Sequence, residues 1–206
     1  MRLATNHRPD ILKQAARFFA TKPYHEVLMD DVAAAVGIAK GTIYRFYRNK
    51  DLLYLSVCLE WMDTHAEQLR EASVGSDNTL IRLERMVLRS ALHFRAYSDF
   101  FQAVQRADVY PNITGTREFL RRRGKVREQF ARVIAQGQTQ NLIRKMDASM
   151  AADMLLGMIR SLQRFGDPSR SAEQNAQGAM DVFLNGTKFV SQAPDVTKRK
   201  VKLLDK

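Results

Sequence analysis

The chain is 206 residues long and carries 33 Lys and Arg against 22 Asp and Glu, a formal net charge of +11. That length can bury a real core in one generous domain or two unequal ones, and the charge favours an acidic partner, either nucleic acid or an anionic membrane surface. A single cysteine, Cys58, excludes an internal disulfide. No apolar run approaches the roughly 18 residues that span a bilayer, and charge interrupts the amino terminus too often for a secretory leader, so a soluble cytoplasmic protein is expected.

Helical periodicity dominates and strand alternation is nearly absent, which predicts an all-α fold. From Asp10 the apolar positions Ile11, Leu12, Ala15, Ala16, Phe18 and Phe19 recur at helical spacing, and the helix must end before Pro23. DDVAAAVG reads as a second, short helix with carboxylates in its first turn and Gly37 just past its end. A third short helix begins in AKGTIY, and Asn49 is placed to cap a long fourth one that runs from Lys50 to near Gly75. In the fourth helix Leu52, Leu55, Leu59, Met62, Ala66 and Leu69 are expected to line one side, with Cys58, Trp61 and His65 along its flank. Further helices are expected at roughly 79–96, 98–109, 116–137, 148–165 and 171–190, separated by stretches rich in turn formers.

Asp30 to Tyr44 has the spacing of a helix-turn-helix: Ala33 is small where helices cross, Gly37 makes the turn, and Val32, Ile38 and Ile43 close a tripod. Such a unit leaves its second helix free to enter a major groove, where Lys40 and Thr42 would meet base edges. Tyr44, Arg45, Tyr47, Arg48 and Lys50 follow at once and suit phosphate, with Ile43 and Phe46 expected inward. The plainer alternative is an ordinary helical corner with a solvated basic face.

Residues 9–53, PDILKQAARFFATKPYHEVLMDDVAAAVGIAKGTIYRFYRNKDLL, resemble the DNA-binding domain of the TetR family of transcriptional regulators across nearly its whole length. The resemblance implies a ligand-responsive regulator, usually a repressor, that binds a palindromic operator as a homodimer and is released by a small-molecule inducer. It carries over Lys40, Thr42, Tyr44 and Lys50 as DNA contacts. Two departures stand out: Pro23 replaces the family's usual glycine at the end of the first helix, and Leu28 replaces its usual Ser or Thr cap on the second. Beyond residue 53 the resemblance is one of architecture. The expected division is a DNA-binding domain at 1–52, a helical ligand-binding and dimerisation domain at 53–192, and a mobile basic tail at 193–206.

Candidates to line a ligand site are Trp61, His65, Met86, His93, Phe94, Tyr97, Phe100, Phe101, Met154 and Met158. In EFLRRRGKVREQFARVI, Arg123 falls within the helical arc of Phe119, Val126, Phe130, Val133 and Ile134. A guanidinium on an apolar face needs a partner, whether the surface, a carboxylate such as Glu84, or an anionic ligand. Ala151, Leu155, Ile159 and Leu162 on one helix, and Ala176, Ala179, Met180 and Phe183 on the next, form wide stripes that would build a four-helix dimer interface or pack within one chain.

No metal or cofactor is expected, because the histidines are scattered and lack companions at ligand spacing. No HExxH, phosphate loop or GxSxG is present either, so the chain is not expected to be an enzyme. The competing binding role is a sequence-independent architectural DNA-binding protein that relies on charge alone.

Overall fold

The computed structural model describes residues 7–75, 78–97 and 116–187, and among these no strand occurs. The expected helix at 98–109, Phe100, Phe101 and the tail at 193–206 lie outside the described residues. The helices are α1 Arg8–Thr21, α2 Met29–Val36, α3 Lys40–Phe46, α4 Lys50–Ser73, α5 Thr79–Ala96, α6 Arg117–Thr139, α7 Ala148–Phe165 and α8 Ala172–Thr187, with a 3-10 turn at Tyr24–Glu26 between α1 and α2.

α1 buries Ile11, Leu12, Ala15 and Phe19 against α2 and α4. Pro23 leads out of α1 into the 3-10 turn, where the Glu26 amide donates to the Pro23 carbonyl at 3.0 Å. The corner that lacks its usual glycine is closed by side chains instead. The Tyr24 ring packs on Phe19 at 5.9 Å and on Tyr54 at 5.1 Å, and its hydroxyl donates to Asp51.

α2 ends on Gly37, whose φ of 76° lies in the left-handed region, while the Gly37 and Ile38 amides satisfy the carbonyls of Ala34 and Ala33. At its other end Leu28 supplies no side-chain cap, and Asp30 and Asp31 provide only first-turn charge. The long α4 starts where the Asn49 side chain accepts from the Leu52 amide at 2.9 Å. Its most buried stripe is Leu53, Tyr54, Val57, Cys58, Trp61, His65 and Leu69, so the expected flank is the centre. Leu52, expected to line the buried side, is exposed.

One apolar core joins α1, α2 and α3 to the first half of α4 and continues through Trp61 to Phe94 and Tyr97 of α5. A second core fills the body, with Leu83, Met86, Phe130, Ile134, Leu155 and Ile159 at its centre. Fully burying each such side chain contributes about 1.5–3 kcal/mol. α6 lies along α4, tied to it by the Gln129 amide donating to the Ala66 carbonyl at 2.9 Å and by Arg122 donating to Asp63 at 2.8 Å.

The stripes expected to form a dimer interface pack inside the chain. Ala151, Leu155, Ile159, Ala176, Ala179, Met180 and Phe183 are all buried, and Leu162 is half-buried against the same core. α7 and α8 each touch α5 as well as one another, so their widest apolar faces are used up at home. What remains outward is a narrower stripe of Met150, Met154 and Phe165 on α7 and Val182 on α8.

Candidate nucleic-acid interface

α3 is held by what it buries. Ile43 is fully enclosed and Tyr47 is 4% exposed, whereas Phe46 is 40% exposed. The expected roles of Phe46 and Tyr47 are therefore reversed. The helix ends at Phe46, and the extended backbone at Tyr47, whose amide donates to the Ile43 carbonyl at 2.9 Å, turns the phenol ring inward. Burial raises the Tyr47 phenol pKa despite the Arg8 guanidinium beside it. Tyr47 is thus a wedge under α3 and offers no surface to a phosphate.

Lys50 is the second correction. Its ammonium donates to the carbonyls of Tyr24 at 2.8 Å, Val27 at 3.0 Å and His25 at 3.3 Å, and it lies 4.4 Å from the Tyr24 ring centre. Partial burial lowers its pKa, offset in part by Asp51. With three carbonyls around it, this cation ties the α1–α2 corner to the start of α4 and has no donor left over for DNA.

The other expected contacts stay outward. Lys40, Tyr44, Arg45 and Arg48 are exposed and Thr42 is half-buried. Lys40, Tyr44 and Arg48 follow one another at four-residue spacing, with Gly41 and Arg45 alongside. Nothing stands within 4 Å of the place a Gly41 Cβ would occupy, so the backbone is open to close approach. Lys40 donates to Asp30 at 2.7 Å, and that bond, followed by the charge of Asp30, raises the lysine pKa. The partnership of Asp30 with Lys40 was not foreseen, although their ten-residue separation across the turn between α2 and α3 is the available signal.

The expected ligand residues fall in two places. Trp61, His65 and His93 are buried together, with Phe94 and Tyr97 half-buried beside them, whereas Met86 is buried in the body core. The imidazoles of His65 and His93 stack at 4.5 Å and 9°, and Trp61 lies 4.8 Å from His93. His65 Nε2 shares a hydrogen bond of 2.9 Å with Ser90 Oγ. Burial lowers the pKa of both rings, that of His93 to about 4, so both are neutral near pH 7. Met154, by contrast, is 55% exposed on the outer face of α7, and Met158 is half-buried against the body core that holds Met86.

Arg123 is exposed and does not enter the core. The guanidinium turned inward on α6 is its neighbour Arg122, which is paired with both Glu118 and Asp63. The buried arc near the start of α6 is set by contact with α4 and centres closer to Arg122, leaving Arg123 just beyond its edge. Among the described residues no group of three or more potential metal ligands occurs, and no helix is long and apolar enough to cross a membrane. Burial pushes the Cys58 thiol up to about 12, which leaves no thiolate near neutral pH.

Residues 11–57 match the family model described as bacterial regulatory proteins, tetR family. An HTH-type transcriptional activator, FasR of Mycolicibacterium smegmatis, is 30% identical over 96 residues, which are 46% of this chain and 40% of that protein. The chain thus spans less than half the length of the curated relatives it matches. Among solved structures, the fatty acid degradation regulator FadR from Bacillus halodurans superposes with a TM-score of 0.75 at 16% identity, covering 89% of this chain and 97% of that one. AibR, solved with isovaleryl coenzyme A and operator DNA, gives a TM-score of 0.65 at 23% identity, covering 86% and 97%. At these identities the structural likeness establishes a shared all-helical fold.

Proposed function

We propose, from the match of residues 11–57 to the tetR family of bacterial regulatory proteins, that the chain is a ligand-responsive transcriptional regulator that binds a palindromic operator as a homodimer. The observation that carries the reading is α3: a seven-residue helix locked from beneath by Ile43 and Tyr47, with Lys40, Tyr44, Arg45 and Arg48 turned outward. A helix so held enters a major groove as a rigid unit, with Lys40 and Thr42 directed at bases and the remaining cations at phosphates. Residues 1–52 are the reading head in this proposal, and residues 53–192 carry the ligand and dimer surfaces.

For the dimer, the outward stripe of Met150, Met154, Phe165 and Val182 replaces the buried residues named from sequence. Gly157 and Gly178 support close approach of a second copy, since each has open space where a Cβ would stand. A twofold pair of such faces places two α3 helices on successive half-sites of a palindrome. Repression is the sign proposed, with an inducer that binds the DNA-incompetent arrangement more tightly and so shifts the population away from the operator. A protein of this kind works in the cytoplasm and needs no catalytic centre.

The competing reading, an architectural binder acting through charge, draws on the +11 net charge. Titrating the purified protein with DNA from upstream of its own coding region, against random competitor and at several salt concentrations, separates the two. Retained binding at two or four chains per site supports the regulator. Binding that ignores sequence at every salt concentration, with other promoters tested as well, would overturn it.

A further inference from the structure

A cavity of about 430 Å³ opens where the reading head meets the body, between α1, the middle of α4 and the end of α5. Its apolar walls include Leu12, Ala16 and Ala20 from α1, Val57 and Trp61 from α4, and Tyr97 at the end of α5. The two alanines on α1 stand one turn apart and leave the space that larger residues would fill. Trp61 and Tyr97 meet edge to face at 6.4 Å and offer aromatic surface. The volume falls within the range of about 300–1,000 Å³ that suits small organic ligands.

The charges around this cavity are unequal. Lys13 and Arg17, also one turn apart on α1, both line it, while Glu60 on α4 is the one carboxylate among its described lining residues. Neither Lys13 nor Arg17 makes a side-chain hydrogen bond or ion pair among the described residues. We propose that this cavity binds an anionic amphiphile, an apolar or aromatic molecule bearing one carboxylate or sulfonate, with the acid group at Lys13 and Arg17 and its body between Ala16, Trp61 and Tyr97. The cavity adjoins the buried His65–His93 cluster, since Trp61 and Tyr97 in its wall pack on His93 at 4.8 and 5.0 Å, and it does not include the exposed Arg123.

Its position gives the binding a consequence. One wall is a helix of the head and another is a helix of the body, and the head core already reaches Trp61, Phe94 and Tyr97. A molecule held by both walls fixes the angle between them. If that angle differs from the one required on DNA, occupancy and operator binding oppose each other to the same extent. This inference rests on the chain being a DNA-binding regulator.

The probe is 8-anilinonaphthalene-1-sulfonate, an anionic aromatic dye, added to the full chain alone and on its operator. Trp61 is the chain's one tryptophan and lines the cavity, so dye bound there must quench its emission. Saturable dye fluorescence with matching loss of Trp61 emission is expected, together with weaker operator binding. Ala16→Leu fills the cavity and Arg17→Gln removes one cation while leaving the fold intact. Each is expected to raise the dye Kd by about tenfold or more, the size of a lost charged hydrogen bond, with dye-free operator binding retained. Dye fluorescence without Trp61 quenching, or equal affinity in both variants, would overturn the site, and unchanged operator affinity at saturating dye would overturn the coupling. Absence of operator binding in the dye-free chain would instead sink the regulator reading itself.

Discussion

The reading head and the body solve the same packing problem at different scales. In the head, α2 and α3 are eight and seven residues long, too short to persist alone in water. Their geometry comes from particular short-range devices: the left-handed Gly37 turn, the Tyr47 wedge and the three carbonyls gathered by Lys50. In the body, helices of 16 to 24 residues share a continuous apolar core, to which polar ties such as Gln129 to the Ala66 carbonyl are added. A head built on a few specific contacts holds α3 firmly, as the proposed reading of DNA requires, while the body rests on broad apolar contact.

The contrast is broken most forcefully in the body core. Phe130→Ala leaves a cavity among fully buried neighbours and should cost about 3–5 kcal/mol, read as a lower denaturant midpoint, with DNA contacts intact in the protein that remains folded. Acid should act on the body next. The His65 and His93 rings are held neutral by burial, with folded pKa values lowered below the usual 6.5. Their contribution is therefore fully present above about pH 6.5 and is lost progressively as pH falls toward about 4, because the unfolded chain takes up the protons first. Denaturation midpoints measured across that window should drop, and His93→Phe should flatten the drop.

Changes in the head are smaller and more selective. Lys50→Met removes three hydrogen bonds from a cation and should cost about 1–3 kcal/mol, yet leave the salt dependence of DNA binding unchanged. Arg48→Ala should do the reverse: little change in stability, and a log–log salt slope shallower by about one. A Lys50→Met slope that falls like that of Arg48→Ala would return Lys50 to the phosphate contacts. The smallest effect is expected at Asn49→Ala, about 1 kcal/mol from the lost α4 cap, seen as a modest fall in Tm.

The helices were legible in the sequence because caps and periodicity are local. Asn49, Gly37 and Pro23 mark boundaries whatever the rest of the chain does, and the described helices fall where those marks put them. The direction of side chains near helix ends was not legible. Phe46 and Tyr47 both stand one turn after Ile43, and only the extended backbone at Tyr47 decides which ring goes under. Lys50 carries no local sign that it will meet the carbonyls of Tyr24, His25 and Val27, which lie more than twenty residues earlier. Arg123 and the α7–α8 stripes misled for a related reason. A helical wheel gives an apolar arc but not which neighbour will cover it, so stripes assigned to a second copy are covered by α5 and α6.

The account turns on α3 reading sequence, and the most direct measurement is the ratio of affinities for the upstream operator fragment and for random DNA of equal length, at one salt concentration, in the native chain and in Thr42→Ala. A ratio of about 10³ or more that falls in the variant, with affinity for random DNA unchanged, is the predicted result. A ratio near one in the native chain on every fragment tried would contradict the account and leave charge as the whole of its DNA binding.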